Sequence, residues 1–537
     1  MGRGSQGART RPRPRQHGTL GDLMRLLRSS AVVGVFTLMS RLLGFVREIL
    51  LAAAIGAGPI ADAFFTAFQF PNLFRRVFAE GAFNSAFVPL YAGRMESDGE
   101  TEAQRFARDV VSVLATFMLV FVVAAQIAMP WMMYALGPGF VGDPDLFTLA
   151  VLLTQVTMPY LLMMSVSAML SGILNSHDRF AAAAAAPVLL NVILIGILFF
   201  GDAPPETLVL WLSIGITVSG VVQTLWLWLA CRRTGIRLGF RIPRLTPGVR
   251  RLIVLGVPGA IAAGVTQINI VVTGSIATLQ EGARSWLYYA DRLYQLPLGV
   301  IGIAMGVALL PALSKRLRAG DDNGASDAMN RALEISMGLT LPSAVALAVI
   351  PHFIITALYQ RGAFTALDAE MASAALIAFA IGLPAFVLIK VLSPGFFARQ
   401  DTATPMKFAT IGVVVNIALG LGLFFSPVGF VGLAIATAVA GWINAALLGV
   451  VLHRRGLLEL DARLRSKLVR IVLATAVMGV AVGVLGTQRD LLTSWTGGST
   501  LLALLGVVAI GGGIYAALAV LTGAVRMGEL RKALKRG

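Results

Sequence analysis

Residues 110–136 read VVSVLATFMLVFVVAAQIAMPWMMYAL, a run without one Asp, Glu, Lys or Arg. At 1.5 Å per helical residue it extends ~40 Å, more than the ~30 Å hydrocarbon core of a bilayer. The run is continuous, whereas an outer-membrane barrel strand would alternate over about ten residues. A membrane helix is the fitting element. Working outward, apolar segments of this kind recur along the whole chain, at roughly 29–56, 60–93, 107–136, 146–174, 181–201, 206–230, 249–279, 285–313, 333–358, 369–397, 405–425, 428–452, 468–486 and 499–524. The composition agrees: 57% of the 537 residues are hydrophobic and 13% charged, where soluble chains carry about 25% charged residues. A water-soluble multidomain enzyme is excluded. The fold class is an all-α polytopic membrane protein with fourteen transmembrane helices.

The basic residues give the orientation. Of the 44 Lys and Arg, thirty-five lie in the N-terminal arm, the C-terminal tail and the loops after even-numbered spans. Only Arg284, Arg361 and Arg489 lie in loops after odd-numbered spans. That asymmetry places both termini in the cytoplasm. It also accounts for most of the net charge of +17 without a nucleic-acid partner, because such charges face anionic phospholipid headgroups. The first span carries Arg41 and Arg47 and lacks a small-residue cleavage site, so it is no signal peptide. The single cysteine, Cys231, excludes an internal disulfide.

An internal repeat divides the chain. Pro71 and Pro89 find Pro297 and Pro311, while Pro159, Gly172, Asp178 and Asn191 find Pro384, Gly395, Asp401 and Asn416. Six spans per copy is an even number, so the copies share one orientation, as in parallel-repeat transporters. The expected organisation is a basic disordered arm (1–28), a six-helix lobe (29–232) and a second six-helix lobe with its basic linker (233–452). Two extra helices (453–525) and a basic tail (526–537) follow.

Besides charges at the span ends, ten ionisable side chains are assigned to the spans themselves: Arg41, Arg47, Arg75, Arg76, Arg292 and Lys390 against Glu48, Asp62, Glu80 and Asp291. Each costs about 2.5–3.5 kcal/mol at the bilayer centre, so each needs a partner or a wet cavity. Helical geometry puts Ser40 with Arg47 on one stripe and Arg41 with Glu48 on the next. Arg76 and Glu80 are i, i+4 neighbours able to neutralise each other. Arg292 shares a stripe with Gln295, Leu296 and Gly299, turned inward. Pro297 and Pro394 withdraw helical donors from Leu293 and Lys390 and are expected to act as helix-break hinges lining a cavity. The basic excess implies an anionic substrate, and arginine's planar fork suits phosphate oxygens. No GxxxxGK[ST] loop, GxSxG or HExxH occurs, and the four histidines lack metal-ligand spacing. These absences argue for a transporter without metal, nucleotide or other cofactor, driven by a coupling ion or the membrane potential.

The charged blocks resemble the MurJ (MviN) family of bacterial lipid II flippases. They are Ser40-Arg41-Leu42-Leu43-Gly44-Phe45-Val46-Arg47, Asp62-Ala63-Phe64-Phe65, Pro71-Asn72-Leu73-Phe74-Arg75-Arg76 with Ala79-Glu80-Gly81, Tyr288-Tyr289-Ala290-Asp291-Arg292-Leu293 and the stretch Lys390–Asp401. Glu48 stands where many members have Asp. The resemblance implies membership of the multidrug/oligosaccharidyl-lipid/polysaccharide exporter superfamily: two lobes around a V-shaped cavity, working by alternating access in the bacterial inner membrane. It further implies that Arg41, Arg47, Arg75, Arg76, Arg292 and Lys390 receive the pyrophosphate and sugar-peptide head of lipid II, an undecaprenyl-pyrophosphate-linked disaccharide-peptide. Ser40, Glu48, Asp62, Glu80 and Asp291 would support charge and coupling, and the last two helices would hold the lipid tail. Cell-wall synthesis proteins are expected partners. A flippase for another undecaprenyl-linked glycan, or a multidrug/cation antiporter, is the alternative; an antiporter should favour acidic cavity charges.

Overall fold

The computed structural model describes residues 20–75, 82–236 and 238–524. Among them are eighteen α-helices and no strand: α1 (Leu20–Ile55), α2 (Pro59–Arg75), α3 (Ala82–Ser97), α4 (Glu100–Leu136), α5 (Pro144–Thr157), α6 (Pro159–Ser176), α7 (Phe180–Phe200), α8 (Pro205–Arg233), α9 (Pro247–Ala277), α10 (Ala283–Arg318), α11 (Asp322–Val349), α12 (Pro351–Tyr359), α13 (Ala366–Phe397), α14 (Ala403–Phe424), α15 (Val431–Arg454), α16 (Ala462–Thr487), α17 (Arg489–Trp495) and α18 (Thr500–Leu521). Ten described segments, α5 and α6 counted as one, are long and apolar enough to cross a membrane. Helices suit that setting because every backbone polar group is satisfied within the segment.

Three expectations about local structure change. The helix of the first span begins at Leu20, inside the segment assigned to the disordered arm. The second span is two described helices, α2 and α3, with the residues between them outside the described set. Neither Pro297 nor Pro394 breaks its helix: α10 and α13 run through them. Lost donors at single prolines are tolerated where packing against neighbours holds the helix on both sides.

The repeat reappears in the backbone. Left-handed residues fall at Gly56 and Gly282, Gly99 and Gly320, Asp178 and Gln400, and Gly235 and Gly456, four pairs separated by 221 to 226 positions. The turn after α6 closes with Arg179 N–H on the Leu174 carbonyl at 2.9 Å, and its counterpart after α13 with Asp401 N–H on Phe396 at 3.1 Å. These are the six-to-one bonds of a Schellman turn, which satisfy the helix's last carbonyls. Asn191 on α7 reaches the Ser40 carbonyl on α1 at 3.0 Å, and Asn416 on α14 reaches Asn269 on α9 at 2.8 Å. Each half thus uses one buried amide to tie its first helix to its fifth span.

Helices α16 and α18 pack on each other and, through α16, on α11. At that contact Lys467 is buried against Glu334, and Arg331 joins Glu334 to Asp461, whose side chain caps α16.

The two halves meet at the end of the bundle formed by the α1–α2, α4–α5, α9–α10 and α12–α13 turns. Ala363 N–H donates to the Ala53 carbonyl at 2.8 Å, and Tyr289 Oη donates to the Gly56 carbonyl at 3.1 Å. Glycine is required at 362, where φ is +58° and a Cβ would come within 2.2 Å of the Ala53 carbonyl oxygen. Along the flank, α3 and α4 pack against α9.

Candidate substrate site between the halves

Arg47 and Glu48 are sequence neighbours, yet they form an ion pair at 2.5 Å with side chains only 12% and 4% exposed. The helical-wheel reading, which set Glu48 beside Arg41, is corrected here. Arginine's long stem bends back to a carboxylate that another element holds in place: Tyr288 Oη on α10 donates to the same Glu48 oxygen at 2.9 Å. The second Glu48 oxygen is buried with no partner among the described residues. Arg47 also donates to Asn191 Oδ1 at 3.0 Å and lies 5.9 Å from the Phe68 ring on α2.

Across the interface, Arg292 sits with its guanidinium carbon 4.5 Å from the Tyr288 ring centroid. Its Nε is buried without a hydrogen-bond acceptor among the described residues. Tyr288 stacks on Phe65 of α2 with centroids 3.9 Å apart. One tyrosine therefore touches an acidic and a basic group from the two halves. Arg47 pairs with Glu48 directly, and Arg292 lies within electrostatic range of both Glu48 and Asp291. A small cavity of about 10 Å³ adjoins Arg47 and Tyr288, walled by Leu51, Phe64, Phe68, Leu194, Leu198 and Leu212.

Arg41 and Lys390 form a second cationic group. Both are exposed, and Arg41 is close enough to Lys390 to repel it electrostatically. The Arg41 guanidinium rests on Gly299 of α10, where a Cβ would come within 2.6 Å of Nη1. Arg41 thus reaches across from the first half to the second, as a shared cavity requires.

The remaining expected residues separate. Asp62 lies in the closure between the halves, accepting from Gly282 N–H at 2.9 Å, from Ser285 N–H at 2.8 Å and from the Ser285 hydroxyl. Asp291 accepts from Gln295 on its own helix, so Gln295 serves Asp291 rather than Arg292. Ser40 contributes its backbone carbonyl to Asn191. Arg75 ends α2, and the proposed Arg76–Glu80 pair lies outside the described residues.

Four contributors were not singled out as site residues from the sequence. Tyr288 lies one helical turn before Arg292, a spacing that could have flagged it. Asn191 stood out only as a repeat marker. Arg284, assigned to an outer loop, is 7% exposed and donates to the Phe65 carbonyl at 3.4 Å and to Gln69. Gln69 in turn donates to the Ile270 carbonyl at 3.1 Å. Only the approach of α2 to α9 and α10 makes these neighbours.

With the geometry in place, comparison with known proteins decides the family. The family model described as "Lipid II flippase MurJ" matches residues 51–506. The chain belongs to the MurJ family. A probable lipid II flippase MurJ of Rhizobium tropici is 46% identical over 521 residues, 96% of this chain and 97% of the relative. The lipid II flippase MurJ of Burkholderia cenocepacia is 35% identical, covering 81% and 85%. Among solved structures, a MurJ in an inward closed conformation superposes with a TM-score of 0.76 at 26% identity, covering 91% of this chain and 98% of that one. An inward-facing MATE-family multidrug transporter superposes at 0.64 with 15% identity, over 80% of this chain and 98% of that one; this likeness concerns the fold alone. The expected MurJ resemblance holds over nearly the whole chain, and the chain is a multi-pass protein of the MurJ type.

Proposed function

We infer that this chain translocates lipid II from the cytoplasmic to the periplasmic leaflet by alternating access of two lobes. The observation that carries the reading is the junction of Arg47, Glu48, Tyr288 and Arg292, where both halves bring charge to one point among apolar helices. Pyrophosphate is the matching ligand chemistry, because guanidinium forks bind phosphate oxygens in pairs. The cavity beside Arg47, about 10 Å³, is far smaller than the 300–1,000 Å³ usual for even drug-sized ligands. A disaccharide-peptide head therefore needs the halves to part, and the arrangement corresponds to a closed stage of the cycle. Arg41 and Lys390 supply further positive charge toward the head.

In this reading the chain crosses the inner membrane fourteen times with both termini in the cytoplasm. Helices α1–α8 and α9–α15 form the lobes, and α16 and α18 add a surface for the lipid tail. Phospholipids surround it, and cell-wall synthesis proteins take the product. An ion gradient or the membrane potential supplies the energy, and no catalytic or cofactor chemistry is involved. The basic excess disfavours a cation antiporter, whose cavity should be acidic.

The test is complementation of flippase-depleted cells, with the lipid II in each leaflet quantified and membrane expression checked. Losing a charge-assisted bond worth about 1.5–3 kcal/mol weakens binding roughly tenfold or more. Arg41→Ala, Arg47→Ala and Arg292→Ala should each impair transport, with Arg→Lys intermediate. Well-expressed Ala variants at all three positions that still move lipid II would overturn the assignment.

A further inference from the structure

The described residues between α8 and α9, 234–236 and 238–246, are not helical, yet one side of them is firmly seated. Ile236 and Leu238 are buried. The Arg241 N–H donates to Ser112 Oγ at 2.9 Å, and Ser112 is the third residue of the uncharged run 110–136. The linker therefore touches α4 at the level where its membrane-crossing portion begins. At the far end Gly248 closes on Arg94, where a Cβ would come within 2.2 Å of Nη2.

The other side is open and mixed in character. Phe240, Ile242 and Leu245 are 73%, 80% and 58% exposed, and Arg241 and Arg244 are exposed between them. Arg250 and Arg251 follow in the first turn of α9, also exposed. No Asp or Glu occurs between Glu206 and Glu281, so nothing nearby in the chain neutralises these arginines. At the end of α8, Arg232 stacks on Trp228 at 3.9 Å, an aromatic–cation pairing suited to the headgroup level. Large apolar tips alternating with cations suit one environment: the boundary of an anionic bilayer, where apolar groups enter the acyl region and arginines reach phosphates.

We propose that the 238–246 stretch of the linker is a lipid-docking strap, with Phe240, Ile242 and Leu245 inserted at the headgroup–acyl boundary and Arg241 and Arg244 holding the phosphates of anionic phospholipids. The strap is the only covalent link between the two halves, so docking it fixes that link in the membrane plane while the helices on either side move. The cytoplasmic side of this docking rests on the topology proposed above; the docking itself does not.

The experiment uses the full-length protein in a Cys231→Ser background, spin-labelled at Phe240→Cys and reconstituted in phosphatidylcholine vesicles with or without phosphatidylglycerol. A label at Gly142→Cys, in the α4–α5 turn where a side chain meets open space, is the water-exposed control. The label at 240 should favour dissolved oxygen over a soluble nickel chelate. In native mass spectrometry, Arg241→Gln with Arg244→Gln should reduce retained phosphatidylglycerol roughly 25-fold, since each headgroup-level arginine is worth about 1 kcal/mol, or about fivefold. Both side chains point away from the protein, so the fold is kept. Nickel access at 240 equal to the control, or unchanged lipid retention, overturns the proposal. Protection at 240 that persists in detergent without lipid indicates a protein cover and also overturns it. An impermeant reductant shows separately which face carries the label; immersion from the outer face would refute the topology and leave the strap standing.

Discussion

Glu48→Gln isolates the electrostatics of the inter-half junction. Gln keeps the size and one carbonyl oxygen, so the Tyr288 hydrogen bond at 2.9 Å can persist. It removes the negative charge from the Arg47 contact at 2.5 Å and leaves Arg47 near Arg292 without its counter-ion. Breaking a buried pair from one side costs about 3–5 kcal/mol; the retained amide acceptor should bring this down to about 1.5–3 kcal/mol, the worth of a charge-assisted bond. The empty protein should therefore melt earlier. A pyrophosphate-bearing lipid supplies the missing negative charge, so it should bind the variant roughly tenfold or more tightly than wild type and recover much of the melting loss. Transport should fall, because a ligand held more tightly is released more slowly. The assay is thermal unfolding in detergent with and without undecaprenyl pyrophosphate, paired with a binding titration. Arg47→Gln added to Glu48→Gln should restore the melting point and abolish the tighter binding. An equal melting loss with and without the pyrophosphate lipid, at unchanged affinity, refutes the reasoning.

Topology is tested by single cysteines in a Cys231→Ser background: Gly58→Cys and Gly142→Cys should react with an impermeant thiol reagent added outside, and Asp98→Cys and Gly239→Cys should not. The reverse pattern inverts the protein. Gly362→Ala should lower the melting point by pushing α1 from the α12–α13 turn, at about 1–3 kcal/mol for the strained backbone, whereas Gly58→Ala, which meets nothing within 4 Å, should be neutral; equal melting points would deny that the closure is tight. Asp401, in the turn after α13, is held down to about 2 by hydrogen bonds from Arg455 and Thr404. A depressed carboxyl stabilises above its unfolded pKa of about 3.9 and loses that contribution as pH falls toward 2. The gap in melting point between wild type and Asp401→Asn should thus stay constant from neutral pH to about 5 and narrow below about 4, and a gap that narrows between neutral pH and 5 would contradict the Arg455 pairing.

Residues 110–136 and their counterparts settle the all-helical membrane class by length alone, because a bilayer admits few other uses for such runs. The offset between Asp178 and Asp401, or Asn191 and Asn416, likewise exposes the repeat before any coordinates, since both copies must solve the same packing problem. Arg41, Arg47, Glu48 and Arg292 are conspicuous for a similar reason: charge inside an apolar run has to be used. What one-dimensional periodicity cannot supply is the partner across the interface. Helix α1 considered alone sets Glu48 beside Arg41; only the arrival of Tyr288 from α10 turns Glu48 to Arg47. Asp62 reads as one more cavity charge until the Gly282 and Ser285 amides claim it for the closure. Arg284 looks like a loop cation until α2 and α9 bury it. Helical wheels carry angles about one axis, whereas these pairings depend on the distance between axes, which the packing of the two halves against each other determines.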